Sequence, residues 1–198
     1  NGGWTVDCVE WRYSDCTDRL KIGGGMTLVL DGSTGVSAVQ DGVVTAADLA
    51  SGAITASAFP TGSILQVVHS TLFQDPDQVG TSSTSYSDTG HSATITPTST
   101  SSKIYVQLIT RCETPNNLNQ ALRIKIFRDS TEIYYSGNIG YTDTAAQEMM
   151  WGHSQAVVDS PATTSSVVYK TQIAARESGS NVNYNVANAV LTLWEIAG

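Results

Sequence analysis

Along residues 9–22 the hydrophobic positions recur every second residue. Val9, Trp11 and Tyr13 alternate with Glu10 and Arg12, and Leu20 and Ile22 alternate with Arg19 and Lys21. A period of two is that of a strand with one buried face. Ser14-Asp15-Cys16-Thr17-Asp18 between the two runs is turn chemistry, so this stretch predicts a hairpin. Two strands alone are marginal in water, and the hairpin must pack on the next segment or on another copy of the chain.

From Asp31 the texture becomes a repeat of about ten residues. Asp31-Gly32 opens it, followed by Asp41-Gly42-Val43-Val44-Thr45-Ala46 and Ser51-Gly52-Ala53-Ile54-Thr55-Ala56. Each unit is too short and too poor in large side chains to bury a core alone, so it becomes stable only by stacking or by winding around identical neighbours. The in-phase pairs Val44/Ile54 and Leu49/Phe59 are the expected packing positions of a narrow multi-chain shaft; a flexible linker is the alternative.

After Pro60-Thr61-Gly62, runs rich in β-branched and aromatic residues are separated by Gly, Pro, Asn, Asp and Ser clusters. Strands are predicted at 64–73, 92–96, 103–112, 121–128, 132–136, 147–158, 167–176 and 183–196. Asp129-Ser130-Thr131 marks the clearest hairpin, with Ile124 and Ile126 on one face and Arg123 and Lys125 on the other. No segment carries a helical period. The fold class expected is all-β: an N-terminal hairpin region over 1–30, a repeat shaft or linker over 31–61, and over 62–198 an antiparallel sandwich, of which the jelly roll is the commonest eight-stranded form.

Composition narrows the possible partners. Ser and Thr fill 47 of 198 positions, while charged residues make up only 14%, with 18 acids against 10 bases and a net charge of -8. Such a surface repels phosphate backbones, and no Lys/Arg run offers a local exception, so nucleic-acid binding is excluded. No apolar run is long enough to span a membrane, and no basic start followed by an apolar stretch marks a signal peptide. With 40% hydrophobic residues the chain can bury a core.

Chemistry finds little footing. His69, His91 and His153 lie outside any activating frame for a Ser or Cys nucleophile and read as surface or interface histidines. Asp75 and Asp77 flank Pro76 at a loop tip, and Glu113, Glu148 and Glu177 stand near strand ends without defining a glycosidase pair. Those two aspartates and Asp129 are turn acids rather than calcium ligands, and Gly23-Gly24-Gly25 precedes a strand, with no Lys-Ser/Thr to hold phosphate. Cys8, Cys16 and Cys112 make no zinc spacing; reduced thiols are expected, although a Cys8 to Cys16 bridge is geometrically possible. No cofactor, no metal and no catalytic residue are expected. The aromatics carry more information. Tyr134, Tyr135, Tyr141 and Trp151 gather around the 136–140 loop, suited to stacking on a receptor glycan or to packing, and Trp194 shares a strand face with Val190, Thr192 and Ile196 as core or subunit interface.

Three stretches in their order resemble the C-terminal domains of tailed-phage fibre and related virion proteins, of the kind found in phages of marine and cyanobacterial hosts. They are Gly62-Ser63-Ile64-Leu65-Gln66-Val67-Val68, Asp88-Thr89-Gly90-His91-Ser92-Ala93-Thr94-Ile95-Thr96-Pro97 with Ser101-Ser102-Lys103-Ile104, and Leu191-Thr192-Leu193-Trp194-Glu195-Ile196. The Asp41 to Ala56 repeat and the N-terminal hairpin are similar to elements that precede such domains. The resemblance implies a homotrimeric fibre with a jelly-roll head of the tumour-necrosis-factor or C1q type, exposed on the virion. The partners implied are two further copies of the chain, other virion proteins and a host surface receptor or glycan. A capsid decoration protein is the alternative, and a polysaccharide depolymerase a more distant one.

Overall fold

A computed structural model describes residues 20–22, 26–31, 35–38, 55, 58–72, 78–114, 119–143, 148–179 and 181–198. The chain divides into two compact units, Asn1–Ile54 and Thr55–Gly198. In the first, β1 (Leu20–Ile22) pairs antiparallel with β2 (Met26–Asp31), and β2 with β3 (Gly35–Ala38). Residues 20–22 are thus joined forward, to the strand after the three glycines. The expected partner strand at 9–13, the cysteines Cys8 and Cys16, the acids Asp75 and Asp77, and the shaft residues Val44, Leu49 and Ile54 lie outside the described residues.

The second unit is an all-β sandwich of two antiparallel sheets. Its strands are β4 (Ile64–Leu72), β5 (Gln78–Thr81), β6 (Ser87–Ile95), β7 (Lys103–Thr114), β8 (Gln120–Arg128), β9 (Thr131–Tyr135), β10 (Ile139–Thr142), β11 (Met149–Asp159), β12 (Val167–Ala175) and β13 (Val182–Ile196). One sheet runs β10-β8-β12-β6, with β9 sharing an edge of β8; the other runs β11-β7-β13-β4, with β5 sharing an edge of β13. All eight expected runs are strands. Two short strands, β5 and β10, were not foreseen.

Alternation explains why these runs bury one face, its phase changing in β13 where the register with β7 shifts. In β7, Ile104, Val106, Leu108 and Cys112 point inward; in β8, Leu122, Ile124 and Ile126; in β12, Val167, Tyr169 and Ile173; in β13, Val182, Tyr184, Leu191 and Leu193. These side chains from both sheets form one core, the interdigitation expected of two packed sheets. The β8–β9 hairpin closes as predicted. Asp129 takes a φ of +51° that its short polar side chain tolerates, and its Oδ1 accepts from Val168 N at 3.0 Å, tying the turn to β12.

Buried polar groups join the sheets. Arg128 on β8 donates to both carboxylate oxygens of Asp159 on β11, at 2.7 and 2.6 Å, and Tyr169 Oη on β12 donates to the same carboxylate at 2.7 Å. The adjacent carboxylate and burial hold the Tyr169 phenol far above its ordinary range, burial being the larger cause. On the other side of Ile104, which pairs with both Asp159 and Glu195, Glu195 accepts from Gln66 Nε2, Thr98 N and Thr98 Oγ1. Burial works against its charge, yet these donors and Ser102 hold its carboxyl below the usual range.

His91 corrects the expectation of a surface or interface histidine in a loop. It lies within β6 and is fully buried. Where β6 loses register with β12, Gly90 adopts a φ of +81°, and His91 points into the core, as Thr89 and Ala93 do. Its Nε2 lies 3.0 Å from the Ser70 carbonyl, which can only accept, so Nε2 carries the proton. Nδ1 then accepts from Tyr184 Oη at 2.9 Å. Burial holds the ring neutral, below its ordinary value of 6.5, despite the carbonyl. Cys112 is also buried and unbridged, its thiol pushed up to about 12 by burial.

Candidate functional site

With the alternate residues of each strand spent on the core, the remaining ones define two outer faces. Register brings those of β11, β7, β13 and β4 into rows. One row is Val158, Tyr105, Trp194 and Val67; the next is Ala156, Gln107, Thr192 and His69; a third is Ser154, Ile109, Val190 and Thr71. None of these twelve positions is Asp, Glu, Lys or Arg. Val158 is 55% exposed and Val67 50%, flanking the half-buried pair Tyr105 and Trp194, whose rings meet edge to face at 5.2 Å. Ile196, paired with Ile64, extends the apolar strip toward one end. Charge stands at the margins: Lys103 beside Ile196, and at the far end Arg111 and Glu113. Trp194 and Ile196 are therefore face residues rather than core residues.

The outer face of the other sheet is built differently. Across β6, β12, β8 and β9 one row reads Asp88, Gln172, Lys125 and Tyr135, and the next reads Ser92, Lys170, Phe127 and Glu132. Opposite charges are paired: Lys125 with Glu132 at 2.5 Å and Lys170 with Asp88 at 3.0 Å. Gln172 Nε2 donates to Asp88 at 2.6 Å, and Arg123 Nε donates to Asn138 Oδ1 at 2.7 Å. The Lys125 ammonium sits 4.4 Å from the Tyr86 ring centre and 5.7 Å from that of Tyr135. Burial, then Tyr135, pushes the Tyr86 hydroxyl up to about 12.

The four aromatics singled out for receptor binding do not form one cluster. Tyr134 turns inward and donates to Gln155 Oε1 at 2.9 Å. Trp151 packs against the core and over Gly140, whose φ of +61° brings its backbone so near the indole that a Cβ would collide with it. Tyr135, 49% exposed, belongs to the charged outer face. Tyr141, 45% exposed, stands apart, its hydroxyl donating to Asn119 Oδ1 at 2.7 Å and its ring beneath the Arg176 guanidinium. Two of the four are thus well exposed, at separate places, and the other two are partly buried. Tyr86, a companion of Tyr135 in space, was missed because it lies in a serine-rich loop with no periodic signal.

Phe59 opens onto a cleft of about 530 Å³ at the end of the sandwich, lined also by Leu65, Thr98, Ser99, Ser101 and Ala197. The backbone there is clasped by Gly62 N to Ala197 O and Ala197 N to Ser63 O, both 2.8 Å.

No protein-family model matches the chain, and no curated protein does. Among solved structures it is similar to a chain of the T13 IBDV viral particle, at 11% identity and a TM-score of 0.37, over 69% of this chain and 36% of that one. It is similar also to a chain of infectious bursal disease virus Gx strain, at 15% identity and a TM-score of 0.31, over 67% of this chain and 36% of that one. The chain thus spans about a third of the length of each, and neither likeness is close enough to carry a functional conclusion.

Proposed function

We propose that this chain is a non-catalytic structural protein of a virion surface, the trimeric head of a phage fibre, in which the uncharged face of β11, β7, β13 and β4 packs against two further copies. The observation that carries this reading is that face itself. Contiguous exposed apolar surface is uncommon on monomers and marks an interaction site, and the core of a protein interface is depleted of charge and enriched in aromatic residues. Tyr105 and Trp194 on its two middle strands, with charge confined to Lys103 at one end and Arg111 and Glu113 at the other, agree with that anatomy. Closed rings of identical subunits keep such a face from open-ended association.

Two features of the chain agree with the fibre reading. The strand arrangement, with β4, β5, β7, β11 and β13 in one sheet and β6, β8, β9, β10 and β12 in the other, supports a jelly-roll reading of the sandwich. The decapeptide repeat ahead of the head is the kind of segment that needs neighbouring copies to be stable. Sedimentation velocity tests the reading at micromolar concentration. The expected species has three times the chain mass, and Trp194→Glu reduces it to one. A wild-type monomer, or a trimer indifferent to Trp194→Glu, overturns it.

A further inference from the structure

We infer that His91 is an acid-sensitive latch between the two sheets, whose protonation frees β4 from β6. The latch lies inside the sandwich and stands independently of the trimer. Its two ring nitrogens tie β6 to two strands of the opposite sheet. Nε2 donates to the Ser70 carbonyl on β4 at 3.0 Å, and Nδ1 accepts from Tyr184 Oη on β13 at 2.9 Å.

β4 has little else to hold it to the other sheet. It is an edge strand, bonded to β13. Its inward positions Gln66, Val68 and Ser70 are half-buried, and of these Val68 alone lays apolar surface on the core. A second hydrogen bond across the same gap runs from Gln66 Nε2 to the Thr96 carbonyl, at 2.8 Å. A segment with so few buried apolar contacts opens more readily than the core strands do.

The latch has no counter-ion. His91 meets the Ser70 carbonyl from β4, Thr89 from β6, Thr171 from β12 and Tyr184 from β13. Behind Tyr184 stand Thr110 and Cys112 of β7. β5 carries no titratable residue. Among the described residues the titratable groups on this side are therefore Tyr184 and Cys112, both kept neutral by burial, the thiol pushed up to about 12. His69, next to Ser70, and Asp88, on β6, are exposed on the outer faces.

A second ring proton, on Nδ1, meets the Tyr184 O–H, one donor facing another. Turning that hydroxyl toward Thr171 or Thr110 removes the clash but leaves a buried charge without a partner. Lifting β4 gives the ring to water. Burial holds the closed ring below its ordinary 6.5. Opening is therefore favoured as pH falls below 6.5, by about tenfold per pH unit until the closed value is reached.

Hydrogen–deuterium exchange tests the latch, with protection factors for residues 64–72 compared at about pH 7.5 and about pH 5.5. Sedimentation is run on the same samples. Protection is expected to fall about threefold or more at the acid value. The fall persists in His69→Gln and in His153→Gln, which lies on β11 at the far edge of the sheet, and is absent in His91→Gln. Nitrogen-15 spectra of the wild-type ring should show the Nε2–H tautomer and titration below 6.5. Titration at or above 6.5, protection of 64–72 unchanged while His91 titrates, or an acid response kept in folded His91→Gln overturns the inference. Trp194→Glu keeps the response. A response lost with that variant belongs to subunit contact and overturns the latch, whereas a wild-type monomer that opens in acid sinks only the trimer.

Discussion

The two outer faces of the sandwich rest on inner faces that are nearly alike, Ile, Leu, Val and Tyr in alternate positions, and differ in the residues set between them. On β11, β7, β13 and β4 those are Val, Ile, Ala, Tyr, Trp, Thr, Ser, Gln and His over three rows without Asp, Glu, Lys or Arg. On β6, β12, β8 and β9 they include Lys125 paired with Glu132 and Asp88 held by Lys170 and Gln172, beside Tyr135, Phe127 and Ser92. Solvating a sheet requires only that one face be polar. The second face is charged and the first carries no charge over these rows, with Val67, Val158 and Ile109 half-exposed on it, so the first is the one that calls for a covering partner.

The sharpest way to break this contrast is to place charge where there is none. Trp194→Glu should abolish the oligomer outright, as seen by sedimentation, because three buried carboxylates would meet no counter-ion. On the opposite face, Tyr135→Ala should leave the oligomer whole, read by the same sedimentation measurement.

Cutting a tie between the sheets weakens both faces equally. Asp159→Ala strands Arg128 and the Tyr169 hydroxyl at a site where both ion-pair members are mostly covered. It should lower unfolding free energy by about 2–3 kcal/mol, measured by urea titration of a form whose oligomer state is unchanged at rest.

A milder effect comes from pH. His91 and His153 are both held below 6.5 by burial and are neutral in the fold. A base with a depressed folded value takes up protons on unfolding. Its stability is therefore complete above the unfolded value and falls as pH drops below 6.5 toward the folded one. Melting temperature followed from about pH 7.5 to about pH 5 should fall on the acid side, and His91→Gln should flatten part of that slope. An unaltered slope in this variant would show that His91 is not the group responsible.

The smallest effect belongs to the charged face. Lys125→Ala, which deletes a surface pair with Glu132, should change stability by no more than about 0.5 kcal/mol and leave the oligomer intact. A large loss of oligomer there would reverse the assignment of the two faces.

Strand positions were legible because alternation is a local property. Ile124 and Ile126 against Arg123 and Lys125 already announce which side is buried. β5 and β10 escaped notice, since four residues such as Ile139-Gly140-Tyr141-Thr142 are too few to establish a period and include a glycine at positive φ. The outer faces were harder still. Trp194 and Ile196 were recognised as a shared strand face, but that Tyr105, Val67 and Val158 adjoin it depends on register between strands far apart in sequence. Tyr134 and Tyr135, adjacent in sequence, necessarily point to opposite sides of a strand, so a sequence cluster of aromatics was bound to scatter.

The strand β13 carries a consequence for the order of assembly. It lies in the middle of its sheet, bonded to β7 along one edge and to β4 and β5 along the other, yet it is the last of the strands to leave the ribosome. Until residues 182–196 emerge, β4 and β7 have no neighbour between them and the row containing Trp194 does not exist. Non-local pairing of this kind is slow to form and leaves strand edges open meanwhile. The head therefore closes only once residues 182–196 are available to pair, and any association through that face must follow that closure.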